Sequence, residues 1–285
     1  MNVRFWGVRG SIATPGPRTA LYGGNTPCVE LRVAGQLIII DAGTGIRELG
    51  NALMKEKAGK PVEGHLFIGH THWDHIQGFP FFVPLYVPTS KFTVYGMRGT
   101  SKTFLDVMAG QMHPSYFPVQ LKDMGAKPSF VELNAPVMLG EVKASYHFLN
   151  HPGITVGYRF EHAGKVFSYI SDHEPYGKLN ASGDFADKED AAVARFVAGS
   201  DLLVVEAQYT ADEYKLKRGW GHSTFGDVLD LASKADVKRL AIFHHDPAHD
   251  DEQMASFEAE CVRLVSSRGL KTELFAAREG QEVRL

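Results

Sequence analysis

The chain has 285 residues, of which 44% are apolar and 22% are charged, and its formal net charge is −3. This length and composition suit one large domain or two small ones with a sizeable buried core, and we expect a single domain over residues 1–285. The mild negative charge argues against a chain that coats nucleic acid by bulk electrostatics, and the two cysteines, Cys28 and Cys261, exclude a disulfide framework and a cysteine-rich zinc site.

Short apolar or β-branched runs predict strands along the chain. These runs are Val3–Val8, Cys28–Val33, Leu37–Ile40, Leu66–Ile68, Phe92–Tyr95, Val142–Phe148, Thr155–Phe160, Val166–Ile170, Leu202–Val205 and Leu240–Phe243. Helical patterns lie between some of them, at Phe225–Lys234 with Ser223 or Thr224 as N-cap, and at Asp251–Ser267 closed by Gly269. This order predicts an α/β fold in which helices cover packed sheets.

The segment Arg98–Pro128 has the least regular pattern in the chain. Its aromatic residues Phe104, Tyr116 and Phe117 suit a lid that narrows the entrance to a site and stacks on a base or sugar. A plain helix and loop is the more frequent outcome for such a segment, and core burial is the expected role of Phe104.

The most informative motif follows the apolar run Leu66–Ile68 and reads His70-Thr-His72-Trp-Asp74-His75. Residues two apart on an extended segment point the same way, so His70 and His72 can bind one ion. Asp74 and His75 follow as the chain turns and can face a second ion. A single His-x-His would suit a solvated polar loop, whereas four ligand-type side chains after an apolar strand indicate a metal site.

Further candidate ligands lie at the ends of later strands, where loops converge on a site. His151 follows Val142–Phe148, Asp172 follows Val166–Ile170, and either His244 or His245 closes Leu240–Phe243. Each of these positions alone is weak, since a histidine at a strand end is usually a surface or capping residue. Their order and spacing after the first motif make the set informative.

The motif resembles the His-x-His-x-Asp-His signature of the metallo-β-lactamase superfamily, and the order of motifs matches that family from Phe5 to Pro247. Glu206-Ala-Gln-Tyr, Gly221-His-Ser-Thr and Asp41-Ala-Gly-Thr-Gly resemble segments of the ribonuclease Z branch and its small phosphodiesterase relatives. The resemblance implies a four-layer αββα sandwich, with one sheet from the chain up to roughly residue 150 and the other sheet from the rest.

The resemblance also implies two divalent metal ions, most readily zinc, with manganese or iron(II) as alternatives. Asp172 would bridge both ions, and the alignment favours His244 over His245. The implied ligands of the first ion are His70, His72 and His151, and those of the second ion are Asp74, His75 and His244. Such a site keeps a net positive charge of about one unit and therefore suits an anionic substrate.

Three residues have implied catalytic roles in hydrolysis of a phosphodiester. Asp74 can accept the proton of the nucleophile while it remains a ligand. His222, just before a helix, would protonate the leaving oxygen, and Glu206 would pair with His222 and keep it charged. The simpler interpretation is that His222 caps the helix and Glu206 is a surface carboxylate.

The sequence therefore predicts a metal-dependent hydrolase, most readily a phosphodiesterase for a cyclic nucleotide or a cyclic ribose phosphate. Ribonuclease Z-like cleavage of RNA is the first alternative, but the branch inserts a tRNA-gripping arm after its third metal histidine, where this chain has only the hairpin turn Glu161–Lys165. The same fold also hosts ester, thioester and lactam hydrolases, flavodiiron oxidoreductases and binding modules. The flavodiiron proteins carry glutamate where this chain has His72.

The expected partner is a small-molecule phosphodiester. No membrane partner is expected, nucleic acid is disfavoured, and the branch makes a homodimer a reasonable expectation. No apolar run approaches the length of a membrane span, and the N-terminus lacks the apolar core of a signal peptide. These features predict a cytoplasmic protein.

Overall fold

A computed structural model describes residues 1–180 and 183–285, and within these ranges the strands form two seven-stranded sheets. The first sheet contains β1 (Asn2–Gly7), β2 (Cys28–Val33), β3 (Gln36–Ile40), β4 (Glu63–Phe67), β5 (Lys91–Gly96), β6 (Ser129–Glu132) and β14 (Glu282–Arg284). The second sheet contains β7 (Val137–Leu139), β8 (Val142–Phe148), β9 (Val156–His162), β10 (Lys165–Ile170), β11 (Leu202–Glu206), β12 (Arg239–Phe243) and β13 (Glu273–Ala276).

Both sheets combine an antiparallel part with a parallel part. The strand orders are β14-β1-β2-β3-β4-β5-β6 and β13-β12-β11-β10-β9-β8-β7. Pairing is parallel from β3 to β6 and from β10 to β13, and antiparallel elsewhere. The carboxyl ends of the parallel strands in each sheet therefore share one edge, where loops of both sheets can meet.

Helices connect the parallel strands and cover the outer faces of the sheets. They are α1 (Gly45–Glu56), α2 (Trp73–Ile76), α3 (Phe104–Gly110), α4 (Tyr176–Leu179), α5 (Asp184–Val197), α6 (Ala211–Lys217), α7 (Phe225–Lys234) and α8 (Asp251–Ser267). The N-cap of α7 is Thr224, whose side chain accepts from the Asp227 N–H in a capping box. Helix α8 buries Met254, Cys261 and Val265 along one stripe.

Three apolar layers hold the sandwich together. Buried side chains from both sheets, such as Phe5, Phe67, Phe160 and Phe243, form the layer between the sheets. One outer layer packs α1 and α3 on the first sheet, and the other packs α5, α7 and α8 on the second sheet. The predicted four-layer αββα architecture is confirmed.

The prediction that the first sheet ends and the second begins near residue 150 is wrong in two respects. β7 and β8 already belong to the second sheet, because β8 pairs antiparallel with β9 along its full length. The last strand, β14, returns to pair with β1 of the first sheet. The division therefore lies between Glu132 and Val137, and the C-terminus closes the first sheet.

The predicted hairpin turn is confirmed. β9 and β10 are joined by a tight turn at Ala163 and Gly164, whose φ angles of 49° and 74° suit a two-residue hairpin. Cys28 and Cys261 are buried free thiols. Over the described ranges, the helices are too short or too polar to cross a lipid bilayer.

Candidate dinuclear metal site

Loops from both sheets converge at the shared edge and bring the predicted ligands together. His70 follows β4, His151 follows β8, Asp172 follows β10, and His244 follows β12. All four side chains line or border one cleft of about 440 Å³, in which His72 and Asp74 also lie. The strands of the sandwich thus form a rigid frame, and the loops at their ends carry the candidate ligands.

The first group of side chains is His70, His72, His151 and Asp172, whose ligand atoms lie within 4.8 Å of one another. His151 Nε2 lies 3.1 Å from His72 Nδ1. The Oδ2 atom of Asp172 lies 3.4 Å from His70 Nε2 and 3.6 Å from His151 Nε2. We call this set the first position.

The second group is Asp74, His75 and His244. Asp74 and His75 lie on the short helix α2, which begins directly after His72 and turns them toward His244. His244 Nε2 lies 3.0 Å from Asp74 Oδ2 and 3.2 Å from His75 Nε2. We call this set the second position.

Asp172 faces both positions with different oxygen atoms. Its Oδ2 atom points to the first position, whereas its Oδ1 atom lies 3.4 Å from His75 Nε2 and 3.3 Å from His244 Nε2. A carboxylate placed in this way has the geometry expected of a bridging ligand. Burial opposes its charge, but the adjacent His244, His75 and His70 lower the pKa of Asp172 well below its usual range.

The side chains fit a pair of divalent cations. Both ring nitrogens of His70 and the Oδ1 atom of Asp172 are buried without a hydrogen-bond partner, which is costly unless another group satisfies them. Burial lowers the pKa of His70 well below its usual value, so its imidazole is neutral and its lone pair is free to coordinate. Imidazole and carboxylate donors in this number suit zinc, manganese or iron.

The structure distinguishes His244 from His245. His244 adopts a left-handed conformation, with φ of 58°, and its ring enters the second position. The His245 ring lies on the other side of the chain, where Nε2 is 2.9 Å from the Ala277 carbonyl oxygen and the ring packs edge-on against Tyr22. Burial lowers the pKa of His245 to about 3, so its imidazole is neutral. The predicted preference for His244 agrees with this geometry.

A buried carboxylate, Asp41, orients the His75 ring of the second position from the side away from the cleft. Asp41 Oδ2 accepts from His75 Nδ1 at 2.8 Å and from the Tyr169 hydroxyl at 2.6 Å, and its Oδ1 atom accepts from the Gly69 N–H at 2.8 Å. The bond fixes the His75 tautomer so that Nε2 faces Asp74 and His244. The segment Asp41-Ala-Gly-Thr-Gly was visible in the sequence as part of a resemblance, but its contact with His75 was not.

A second support was missed because it involves backbone and a glycine. The Ser11 N–H donates to Asp74 Oδ2 at 2.8 Å. The preceding Gly10 lies so close to the His244 ring that an added Cβ atom would be 2.4 Å from Nδ1. The Gly-Ser pair near the N-terminus was visible in the sequence, but its contact with residues more than 60 positions away was not.

His222 lies beside both positions, and its Nδ1 atom is buried without a hydrogen-bond partner. Its ring centre is 5.1 Å from that of His151 and 5.3 Å from that of His244. His222 Nδ1 and Glu206 Oε2 are 3.7 Å apart, which is within the range of an ion pair but exceeds a hydrogen bond. The two side chains are therefore close enough for an ion pair, and the role of Glu206 in keeping His222 charged stays a prediction.

Glu206 instead binds backbone. It is fully buried at the end of β11 and accepts from the Ser223 N–H at 2.6 Å and from the Gln208 N–H at 3.2 Å. Burial, aided by the charge of Asp172, raises the pKa of Glu206 well above its usual value. Burial also lowers the pKa of His222 to about 3, so this imidazole is neutral before a substrate arrives. Glu206 thus fixes the chain just after His222.

Only the first part of the segment 98–128 lies beside the site. Gly99, Ser101, Lys102 and Val107 line a cavity of about 220 Å³ that also touches His70 and Thr71. Phe104 is fully buried, as expected of a core residue, and Tyr116 is 81% exposed. Phe117 packs against Phe81, with ring centres 5.3 Å apart. The start of the segment therefore borders the entrance.

Comparisons with known proteins agree with this architecture. The sequence model described as the β-lactamase superfamily domain matches residues 36–245. A ribonuclease Z from Natronomonas pharaonis is 24% identical over 282 residues, covering 86% of each chain. The metallo-β-lactamase fold protein YhfI from Bacillus subtilis superposes with a TM-score of 0.69 at 16% identity, covering 99% of this chain and 98% of its own. Unliganded yeast PDE1 superposes with a TM-score of 0.71 at 15% identity, covering 100% and 99%.

Proposed function

This chain is a hydrolase of the metallo-β-lactamase superfamily, and we propose that it is a phosphodiesterase that uses two divalent metal ions to cleave a small or cyclic phosphodiester. The class of substrate we have in mind is a cyclic nucleotide or a cyclic ribose phosphate. The observation that carries the proposal is His222, which lines the same cleft between His151 and His244. Its ligand atom also lies within 4.8 Å of those of Asp172 and His244, so it is close to the second position without belonging to either set named above.

The metal ions would be held by the residues already in place. His70, His72 and His151 would bind one ion, Asp74, His75 and His244 would bind the other, and Asp172 would bridge them. Zinc is the first choice for this donor set, and manganese or iron(II) are the alternatives. When bound, a pair of such ions activates water for attack and offsets the negative charge of a phosphate group.

The side chains in the cleft divide the proton transfers between them. Asp74, held by the Ser11 N–H, would accept the proton that the nucleophile loses. The negative charge of a bound phosphodiester would favour protonation of His222. The protonated imidazole would then donate that proton to the leaving oxygen, with a contribution on the order of a hundred- to ten-thousand-fold in rate. Glu206 would act on His222 through the Ser223 backbone rather than by direct pairing.

Endonucleolytic cleavage of RNA is the second candidate, and it is favoured by the ribonuclease Z relatives in sequence. No inserted arm lies between β9 and β10, because these described strands are joined by the two-residue turn at Ala163 and Gly164. A compact β9–β10 hairpin favours a substrate that fits within the cleft of about 440 Å³.

A substrate panel with the metal-loaded protein tests the proposal. The panel contains bis-p-nitrophenyl phosphate, cyclic nucleotides, cyclic ribose phosphates, a precursor tRNA, a thioester and a lactam. We expect turnover of at least one cyclic phosphodiester that is lost in Asp172→Ala and kept in His162→Ala, a control that removes an imidazole from the β9–β10 hairpin. Turnover of the thioester or lactam alone would refute the proposal, and cleavage of only the tRNA would establish the second candidate.

A further inference from the structure

A fully buried carboxylate outside the metal-binding groups holds the loop that precedes His222. Glu174 lies two residues after Asp172 and is 1% exposed. Its Oε1 atom accepts from the Tyr214 hydroxyl at 2.6 Å and from the Gly219 N–H at 2.9 Å, and its Oε2 atom accepts from the Gly221 N–H at 2.9 Å. Over the residues that the structure describes, no Lys or Arg forms an ion pair with it.

The loop is shaped for this contact. Gly219 and Gly221 have φ angles of 86° and 88°, values that favour glycine, and their N–H groups both point at the carboxylate. Backbone N–H groups turned to one side form a concave anion site, here filled by the protein's own side chain. The charge of Glu174 is therefore met by backbone and a phenol.

The same loop also orients a predicted metal ligand. The Gly221 carbonyl oxygen lies 2.8 Å from His151 Nδ1, so the ring carries its proton on Nδ1 and presents Nε2 to His72 and Asp172. An added Cβ atom on Gly221 would lie 2.2 Å from Nδ1, which shows how closely the loop and the ring approach.

The backbone of Glu174 also forms two hydrogen bonds with Asn150. Its N–H donates to the Asn150 carbonyl oxygen at 2.8 Å, and the Asn150 side-chain amide donates to the Glu174 carbonyl oxygen at 2.8 Å. Asn150 immediately precedes His151. Glu174 thus holds His151 from two directions, through the neighbouring backbone and through the Gly221 carbonyl group.

We propose that Glu174 is a positioning residue that sets His151 and His222 at the same time by holding the loop Gly219–Gly221. The part that concerns His222 rests on the proposed phosphodiesterase function, whereas the part that concerns His151 rests only on the metal site. One carboxylate would then fix the position of His151, a ligand of the first metal position, relative to that of His222, the proposed proton donor.

The isosteric change Glu174→Gln tests the proposal without opening a cavity. The glutamine amide group presents N–H atoms to at least one of the loop N–H groups, so one bond of the loop is lost and its position relaxes. The control Tyr214→Phe removes a hydrogen bond to the same carboxylate but leaves both loop N–H groups bound. Both variants are compared with the wild-type protein after metal loading.

Three measurements report on the two residues. In Glu174→Gln we expect metal affinity at one of the two positions to fall on the order of tenfold, the usual effect of a lost supporting contact. In proton NMR the His151 Nδ1–H signal should shift and exchange faster, whereas the His75 Nδ1–H signal, which reports the bond to Asp41, should stay in place. For phosphodiester cleavage, kcat should fall more for an alkyl leaving group than for p-nitrophenol, while KM changes little.

Several results would overturn the proposal. Unchanged metal affinity and an unchanged His151 signal, with only a lower melting temperature, would make Glu174 a structural residue. An equal effect in Tyr214→Phe would assign the role to the phenol. The metal and NMR measurements need no substrate, so a protein that cleaves no phosphodiester but shows both changes would refute the proposed function and leave the His151 part of the inference standing.

A second variant keeps the test available if Glu174→Gln does not fold. Gly219→Ala alters the same loop from its other end, where the nearest atom to an added Cβ is Leu179 Cδ1 at 3.8 Å and the cost lies in the positive φ angle. It should reproduce the shift of the His151 signal and the loss of metal affinity. Wild-type behaviour in a folded Gly219→Ala protein would contradict the proposal.

Discussion

Replacing Asp41 with asparagine should weaken metal binding at the second position and spare the first. Asp41 accepts three hydrogen bonds in the core, from His75 Nδ1 and the Tyr169 hydroxyl on Oδ2 and from the Gly69 N–H on Oδ1. Asparagine keeps one acceptor oxygen and places an N–H group where the other oxygen was. Whichever way the amide turns, a buried N–H loses its acceptor, and His75 loses its anionic partner.

The expected magnitude follows from this loss. Removal of a carboxylate that orients a metal-binding histidine typically costs a factor of roughly 10–100 in affinity, or about 1.4–2.8 kcal/mol. Because the hydrogen-bond partners of Asp41, namely Gly69, His75 and Tyr169, all lie outside the first position, the affinity of that position should stay within the error of the measurement. Competition against a chelating indicator resolves the two binding steps.

A double-mutant comparison shows which of the two metal positions is weakened by Asp41→Asn. His244→Ala removes a donor from the second position, so adding Asp41→Asn to it should have little further effect on the ion that remains. Tyr169→Phe is the matched control, because it removes one bond to the same oxygen and keeps the carboxylate beside His75. Equal weakening of both steps, or none, would refute the assignment of Asp41 to the second position.

Other substitutions separate ligands from supporting residues. Asp172→Ala should lower the mass-spectrometric metal count at both positions, since its two oxygens face different groups, whereas His151→Ala should lower mainly the first; an unchanged count in Asp172→Ala would remove the bridging assignment. His222→Ala should keep both ions and lose on the order of a hundredfold in kcat for an alkyl phosphodiester but much less for a p-nitrophenyl diester, and equal losses would mean that His222 donates no proton. Glu206→Gln should shift the same ratio by a smaller factor, because it acts through the Ser223 N–H; no shift would restrict Glu206 to folding.

The parts of the fold that the sequence predicts well have a local cause. The bounds of β2, β8, α7 and α8 agree with the structure because each is set by an apolar period with a recognisable start or stop. The strands β13 and β14 were missed, since segments of four and three residues carry too little pattern. Helix α1 was missed because Thr44, before it, makes no capping bond and the helix opens on glycine.

The candidate site divides in the same way. His70, His72, Asp74 and His75 come from one short motif, so their proximity follows from local geometry. The bond of Asp41 to His75 spans 34 positions and that of His151 to the Gly221 carbonyl spans 70. Each contact joins loops at the edge of a single sheet, and it forms only when strands that are distant in sequence take their places in that sheet. Periodicity along the chain does not predict which loops will meet in this way.

Several carboxylates lie near the cleft, yet their placement leaves the cleft able to bind an anion. Glu174 and Glu206 are fully buried, and each gives its oxygens to N–H groups of the stretch from Gly219 to Ser223. Asp74 and Asp172 do reach the cleft, but their oxygens face the histidines of the two metal positions. The remaining groups at the cleft surface are imidazoles and neutral side chains. Negative charge is thus directed at the backbone and at the two metal positions, and the surface of the cleft is left free of uncompensated carboxylates. Such a surface would suit an anionic substrate such as the proposed phosphodiester.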